Sequence, residues 1–281
     1  MKINANAKIN LTLDVVGKRA DGYHNVSMIM QEISLCDTLE INLTDDNTIN
    51  IECDKQVVDR NEDNIAYKAA KLFFEHSGKT GGCSIVLHKK IPSMAGLGGG
   101  SSDAAAVLKA LNALWDNPLS GQKLKEIALT LGADVPFFID GGTAIAEGIG
   151  EILTPISGIK PRWLAVIKPD VSVSTGEAYK KIDSSDPTHP DVKKAAECIR
   201  NGDMESLCKV CGNVFETALG DAKETIDAVK SHFISAGAEF AMMSGSGSAV
   251  FGIFDDKNRA ISAFETYNGT DFEGGIAEFI I

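Results

Sequence analysis

The sequence predicts an α+β protein, on three observations. Residues 2–15 alternate between apolar and polar side chains, the two-residue period of a strand. Residues 63–76, 104–115 and 221–236 instead repeat apolar positions at helical spacing. The two patterns are mixed in both halves of the chain, with no internal repeat and no low-complexity tract.

Composition narrows the class. With 281 residues and 44% hydrophobic content, the chain can bury the core of one large domain or two modest ones. A net charge of −12 disfavours nucleic acid and anionic membrane surfaces as partners. No apolar run reaches membrane-spanning length, and no signal-peptide pattern opens the chain. Six scattered cysteines suit a reducing, cytoplasmic setting better than a disulfide framework. Cys208 and Cys211 are spaced like half a zinc site, but without a second pair they read as core residues.

In order, the first strand carries Ile3, Ala5, Ala7, Ile9, Leu11, Leu13 and Val15 on one face. Lys2, Asn4, Asn6, Lys8, Asn10 and Thr12 share the other. That polar face is either solvated or a site, and asparagine's poor strand propensity favours a site. A turn-rich loop follows over 17–24, carrying Lys18, Arg19, Tyr23 and His24. Residues 26–35, 38–43 and 48–53 read as three strands, and 63–76 as a helix stopped by Gly78. After a strand over 83–90 and the helix 104–115, Ser120 should cap a further helix that Gly132 ends. Asp134, directly after that helix end and beside an apolar stretch, 135–138, that reads as strand, would by itself be an ordinary turn residue. Residues 143–147 and 151–155 resume strand character, and 155–162 is the best candidate boundary between domains. Beyond it, 163–168, 240–243 and 249–254 read as strands among helices. The loop joining the last two, Ser244 to Ser248, alternates serine and glycine and by itself reads as a hairpin turn.

The most informative stretch lies between the strand 83–90 and the helix 104–115. It runs Pro92, Ser93, Met94, Ala95, Gly96, Leu97, Gly98, Gly99, Gly100, Ser101, Ser102, Asp103. A helix N-terminus presents unpaired N–H groups and partial positive charge, which suits phosphate. Glycines let an anion approach the backbone, and the two serines add hydroxyls. The competing possibility is a flexible surface loop with an ordinary serine cap. A Walker A loop is excluded, because Phe73 stands where the first glycine before Gly78, Lys79 and Thr80 belongs. The dinucleotide fingerprint also fails, since Ser101 replaces its third glycine.

This Pro-x-x-x-Gly-Leu-Gly-Gly-Gly-Ser-Ser pattern resembles the ATP-phosphate loop of the GHMP kinase superfamily. The first strand and the loop 243–248 match the same superfamily in the same order, so the resemblance spans nearly the whole chain. Residues 7–13 with 17–24, 132–138 and 146–155 resemble the branch of that superfamily acting on 4-diphosphocytidyl-2-C-methyl-D-erythritol. The resemblance implies a two-domain fold. Residues 1–157 would form an N-terminal domain like domain 2 of ribosomal protein S5, and 158–281 an α+β C-terminal domain, with the active site in the cleft between them. It implies ATP-dependent phosphorylation of the substrate's 2-hydroxyl in the non-mevalonate isoprenoid pathway, with Mg²⁺ and a cytidine diphosphate substrate. A monomer or weak homodimer is expected.

The same resemblance carries roles onto single residues. Asp134 would be the catalytic base, with Lys8 holding it ionised. The loop from Pro92 to Ser102 would wrap the ATP phosphates, and Asn64 and Asn112 would contact adenosine. Ser102 is the candidate Mg²⁺ ligand, and Asp103 a weaker one. Lys89 and Lys90 are either phosphate-neutralising or solvated. Tyr23 and Tyr179 would stack on opposite faces of cytosine, with His24 on its edge. Asn10 would meet the erythritol hydroxyls, and Gly245 and Ser246 would also contact substrate. Three other functions compete: a different small-molecule kinase or decarboxylase of the superfamily, a nucleotide sensor that has lost catalysis, and an RNA-binding module. Retention of both Lys8 and Asp134 opposes the sensor. The acidic charge opposes the RNA-binding module.

Overall fold

The computed structural model describes residues 1–55, 58, 60–185 and 187–281. The chain forms two compact units, each discontinuous in sequence. The first comprises Met1–Ala7, Cys36–Ser93 and Gly98–Gly141; the second comprises Lys8–Leu35, Met94–Leu97 and Gly142–Ile281. Strands β1 (Lys2–Lys18) and β2 (His24–Thr44) each contribute to both units.

In the first unit, the far half of β2 pairs antiparallel with β4 (Gly82–His88), and β3 (Ile49–Cys53) pairs parallel with β4. Helices α1 (Ile65–Ser77), α2 (Gly99–Leu114) and α3 (Gly121–Leu131) pack on one another, and the short α4 (Phe137–Asp140) packs on α2 and α3. Their contact faces are rich in alanine, including Ala66, Ala69, Ala104 and Ala105, all buried. Small side chains let helix backbones approach closely. Ser120 accepts the Lys123 N–H and Gly78 ends α1 with φ of 66°, as the sequence indicates, and Asn64, not read as a cap, accepts the Ala66 N–H at the start of α1.

Three expectations are corrected here. Residues 26–35 and 38–43 are not two strands but parts of the single β2. Asp37, which lies between the two expected strands, is fully buried, and its carboxylate accepts the backbone N–H groups of Lys90 and Ile91. A buried acid with such partners continues a strand. Residues 135–138 form a turn running into α4 rather than a strand. Pro136 has no N–H to give a sheet, and its φ of −57° suits a helix start. Finally, α2 begins at Gly99, so the last glycines of the central loop are already helix.

In the second unit, β1 pairs in parallel with β8 (Gly212–Asn213). The near half of β2 pairs with β5 (Thr143–Glu147), which pairs with β6 (Ile152–Pro155). A separate antiparallel sheet has the order β11 (Phe272–Glu278), β7 (Trp163–Pro169), β10 (Val250–Phe254), β9 (Phe240–Met243). Helices α8 (Lys223–Ser235) and α9 (Lys257–Glu265) pack on this sheet. Helices α5 (Thr175–Asp183), α6 (Val192–Arg200) and α7 (Met204–Val210) lie between β7 and β8 in the chain. The sequence did not announce β11, because Gly274 and Gly275 weaken its pattern. The structure explains the first of these: a Cβ on Gly274 would lie 1.9 Å from the Val166 carbonyl oxygen across the sheet. Burial raises the Cys208 thiol to about 11, and Cys211 is raised as well, so both are protonated thiols near neutrality.

Phe233 of α8 is fully buried against Gly252 of β10 and meets Phe254 edge-on, with 6.3 Å between ring centroids. Phe233→Ala should therefore lower unfolding free energy by about 3–5 kcal/mol, read as a lower denaturant midpoint.

Candidate active site

The polar face of β1 is exposed at Lys2 and Asn4, half-buried at Asn6 and covered from Lys8 onward. Lys8, Asn10, Thr12 and Asp14 are all buried. Lys8 Nζ donates to Asn10 Oδ1 at 2.7 Å, and Asn10 Nδ2 donates to the Met28 sulfur at 3.1 Å. Asp14 pairs with His189 at 2.6 Å. A buried ammonium and a buried amide persist only when hydrogen-bonded, and here each contributes to holding the other.

Beside this face lie the two small-residue loops. The central loop's ends belong to the first unit, and its tip, Met94–Leu97, belongs to the second. The tip is held by the Lys8 N–H to the Leu97 carbonyl at 3.0 Å and the Ala249 N–H to the Ala95 carbonyl at 3.1 Å. Ser244 Oγ donates to the Gly96 carbonyl at 3.0 Å and accepts the Asn10 N–H at 3.3 Å. A Cβ on Gly96 would sit 2.1 Å from the Ser244 carbonyl oxygen, and one on Gly245 would sit 3.0 Å from Gly96 Cα. The loops thus meet backbone to backbone. Residues 244–248 do join antiparallel neighbours, as a hairpin turn would, but they also form the floor under the central loop's tip. Asn213 secures that floor, donating through Nδ2 to the carbonyls of Met243 at 2.9 Å and Gly245 at 2.8 Å. Ser246 pairs with Thr175 at 2.7 Å, at the start of α5. Asn213 escaped the sequence reading, since a lone Asn in a two-residue strand gives no pattern.

In the first unit, α2 starts on Gly98, whose φ is 71° and which has no side chain to cap the helix. Its first intrahelical bond is the Ser102 N–H to the Gly98 carbonyl at 2.9 Å. The preceding N–H groups point out of the helix start, available to an anion. Under this turn lies an ionic cluster. Lys89 Nζ binds Asp103 Oδ2 at 2.6 Å and Asp37 Oδ2, with all three side chains buried. Lys89 is therefore neither solvated nor free to neutralise phosphate. Burial alone would depress its pKa, but the Asp103 and Asp37 carboxylates outweigh that and raise it. Asp103 is pushed up to about 7, chiefly by burial, with Lys89 opposing and Asp37 adding to the rise. The signals for this cluster were an acid within an apolar strand and a lysine at a strand end, both easily read as surface features.

The third grouping is aromatic. Tyr23, His24 and Tyr179 line one cavity of about 400 Å³, with Lys18, Lys180 and Asp183 at its wall. The ring lying parallel on Tyr179 is His24, at 4.4 Å between centroids and 15° between planes. His24 Nε2 contacts Asp183 Oδ1 at 2.8 Å, which fixes the imidazole against that face, and Lys18 binds the same carboxylate at 2.8 Å. His24, expected at the cytosine edge, here stacks on Tyr179, beside a largely exposed Tyr23. Phe215 closes the assembly edge-on to Tyr179 at 5.0 Å.

Asp134 stands half-buried in the turn between α3 and α4. The Asn64 side chain is the cap of α1, and Asn112 braces the chain after α2 through the Leu119 N–H at 3.0 Å and carbonyl at 3.1 Å.

Comparison with known proteins fits this arrangement. Residues 64–142 match the GHMP kinases N terminal domain, and residues 195–270 match the GHMP kinases C terminal domain. A 4-diphosphocytidyl-2-C-methyl-D-erythritol kinase of Alkaliphilus metalliredigens is 45% identical over 266 residues, covering 94% of this chain and 91% of its own. The kinase of the same name from Clostridium botulinum (strain Langeland) is 44% identical, covering 92% and 93%. The chain belongs to the GHMP kinases. A crystal structure of a 4-(cytidine 5'-diphospho)-2C-methyl-D-erythritol kinase superposes with a TM-score of 0.83 at 33% identity, over 99% of both chains. The homoserine kinase of Cytophaga hutchinsonii, at 19% identity and a TM-score of 0.73, shares the fold.

For a divalent cation, this GHMP kinase offers few ligands. No group of three or more His, Cys, Asp or Glu able to hold a metal occurs among the described residues. Asp103 is a poor ligand, because its Oδ2 is bound by an ammonium that would repel the ion. The Ser102 hydroxyl fits only as one neutral oxygen beside ligands supplied by phosphate and water, a set that suits Mg²⁺. Among the described residues no helix is long and apolar enough to cross a membrane.

Two outcomes are expected from this geometry. Gly96 has φ of 76°, and its neighbour across the interface is backbone that cannot rotate away. Gly96→Ala should cost at least about 1–3 kcal/mol of stability, visible as a lowered Tm. The second outcome concerns pH. Folded Asp103 keeps its proton up to about 7, whereas the ordinary value is 3.8. The folded state holds the extra proton between those values, so this group's contribution to stability falls as pH rises through that window. Asp103→Asn should remove that fall, so that the variant gains on wild type in denaturation midpoints between pH 4 and pH 8.

Proposed function

We propose that this GHMP kinase transfers the γ-phosphoryl group of ATP to the 2-hydroxyl of 4-diphosphocytidyl-2-C-methyl-D-erythritol, in the non-mevalonate route to isoprenoids. The observation that carries this is near-full-length likeness to kinases named for that substrate, joined to a cavity walled by Tyr23, His24 and Tyr179. Residues 1–157 would be the domain carrying the phosphate loop and 158–281 the second domain.

Phosphoryl transfer needs positioning and charge stabilisation more than covalent help. The N–H groups at the start of α2 would take the β- and γ-phosphate oxygens. Mg²⁺ would travel with those phosphates and supply charge neutralisation, with the Ser102 hydroxyl as its contact on the protein. Asp134 would accept the proton of the attacked hydroxyl. Lys8 would hold Asp134 ionised, since an opposite charge lowers a carboxyl pKa. Asn10, already oriented by Lys8 and Ser244, would meet the erythritol hydroxyls, with Gly245 and Ser246 nearby in the same reading. Cytosine would stack on the aromatic wall, where each stacked base is worth roughly 1–3 kcal/mol. Binding energy from that remote base would position the reacting hydroxyl.

The test is ATP consumption with cytidyl, uridyl and base-free substrates. The cytidyl compound should be strongly preferred, and the base-free compound should lose kcat/KM although its hydroxyl is unchanged. Equal efficiency with all three would exclude a base slot and favour another GHMP kinase activity. Asp134→Asn should lower kcat by about 10²–10⁴-fold with little change in substrate KM. Near-normal turnover would remove Asp134 from the role of base.

A further inference from the structure

We propose that Lys89 and Asp103 are positioning residues for the nucleotide-phosphate loop, a buried ammonium and carboxylate that join the strand entering the loop to the first turns of the helix leaving it. The proposal rests on the ATP-loop role given above.

The chain geometry carries it. Lys89 follows the last residue of β4, and Asp103 is the fifth residue of α2. Between them runs the whole glycine-rich stretch, and the 2.6 Å contact from Lys89 Nζ to Asp103 Oδ2 closes that stretch into a ring. The same ammonium is held from behind by Asp37, whose other oxygen accepts the N–H groups of Lys90 at 2.5 Å and Ile91 at 2.8 Å. The Lys89 N–H in turn donates to Asp54 at 2.9 Å. Residues 89–91 are thus fixed through both backbone and side chain just before the loop departs. On the other side, a Cβ on Gly99 would lie 3.5 Å from Lys89 Nζ and 3.0 Å from Ile91 Cγ2. Glycine at the first helical position lets the turn settle directly on the stapled segment.

Stability alone does not account for such a cluster. Replacing a buried ion network by apolar residues is often neutral or stabilising, so its worth lies elsewhere. The loop it closes contains four glycines, which lose more freedom on ordering than any other residue. A covalent-like closure at the loop's base reduces the freedom left to be lost when phosphate binds. Lys89 and Asp103 need not touch the nucleotide to act this way. They set where the N–H groups of α2 point.

The experiment measures kcat, KM for ATP, KM for the cytidyl substrate and Tm for wild type, Asp103→Ala and Asp103→Asn. Asp103→Ala breaks the closure while leaving Lys89 paired with Asp37. It should raise KM for ATP on the order of tenfold or more, the scale of a misplaced binding group, while KM for the cytidyl substrate stays unchanged. Asp103→Asn keeps an oxygen for Lys89 and should stay near wild type in KM for ATP. An unchanged KM for ATP in Asp103→Ala, a parallel rise in both KM values, or equal damage from the asparagine variant would overturn the proposal. Should the alanine variant not fold, Asp103→Ser gives the same comparison, since its hydroxyl is too short to reach Lys89. Gly99→Val separates the two readings, because it should abolish ATP binding by calorimetry if the loop takes phosphate. Wild-type ATP affinity in Gly99→Val would sink the phosphate-loop role, and this proposal with it. Lost affinity there with wild-type behaviour in Asp103→Ala would sink the positioning role alone.

Discussion

A single hydroxyl, that of Ser244, joins β1 to the glycine-rich loop within the second unit. It accepts the N–H of Asn10 on β1 and donates to the carbonyl of Gly96 at the tip of the glycine-rich loop. Its own backbone lies so close to Gly96 that no side chain fits between them. Everything local follows from that contact. Residue 96 must be glycine, residue 245 must be small, and Asn213 must supply donors to the carbonyls on either side of Ser244. A hydrogen bond between buried groups is modest in net worth, yet leaving either partner unpaired is expensive. The contact therefore fixes geometry more than it adds stability.

The first unit solves a related problem with charge instead of backbone. Lys89, Asp37 and Asp103 are buried together beneath the start of α2. Asp103 Oδ1 has no hydrogen-bond partner among the described residues, which agrees with a carboxyl held up to about 7 by burial. The cluster also explains why β2 is continuous. Asp37 lies between two stretches that read as separate strands, but in the fold its carboxylate takes two backbone N–H groups and an ammonium.

The aromatic cavity is assembled from residues far apart in the chain. Tyr23, His24 and Tyr179 do converge on one cavity, although more than 150 residues separate them in sequence. Their mutual arrangement depends on Asp183, which binds both His24 and Lys18 and turns the imidazole onto Tyr179. No periodicity in the chain announces that carboxylate.

Read alone, the sequence determined the elements whose signals are local. The alternation of β1, the cap at Ser120, the stop at Gly78, and the strands 143–147 and 240–243 all appear where the residues place them. The glycine-rich loop between a strand and a helix was legible too, because glycine and helix-start chemistry act within a few residues. Only the tertiary structure decided which polar residues are buried and with whom. It made one strand of two by satisfying Asp37, turned residues 135–138 into a helix start, and revealed β11 despite its two glycines. It also set the two small-residue loops against each other across about 150 positions of chain. The physical reason is the same in each case. The cost of burying a charge or an N–H depends on the partner it finds, and that partner is supplied by the fold from elsewhere in the chain.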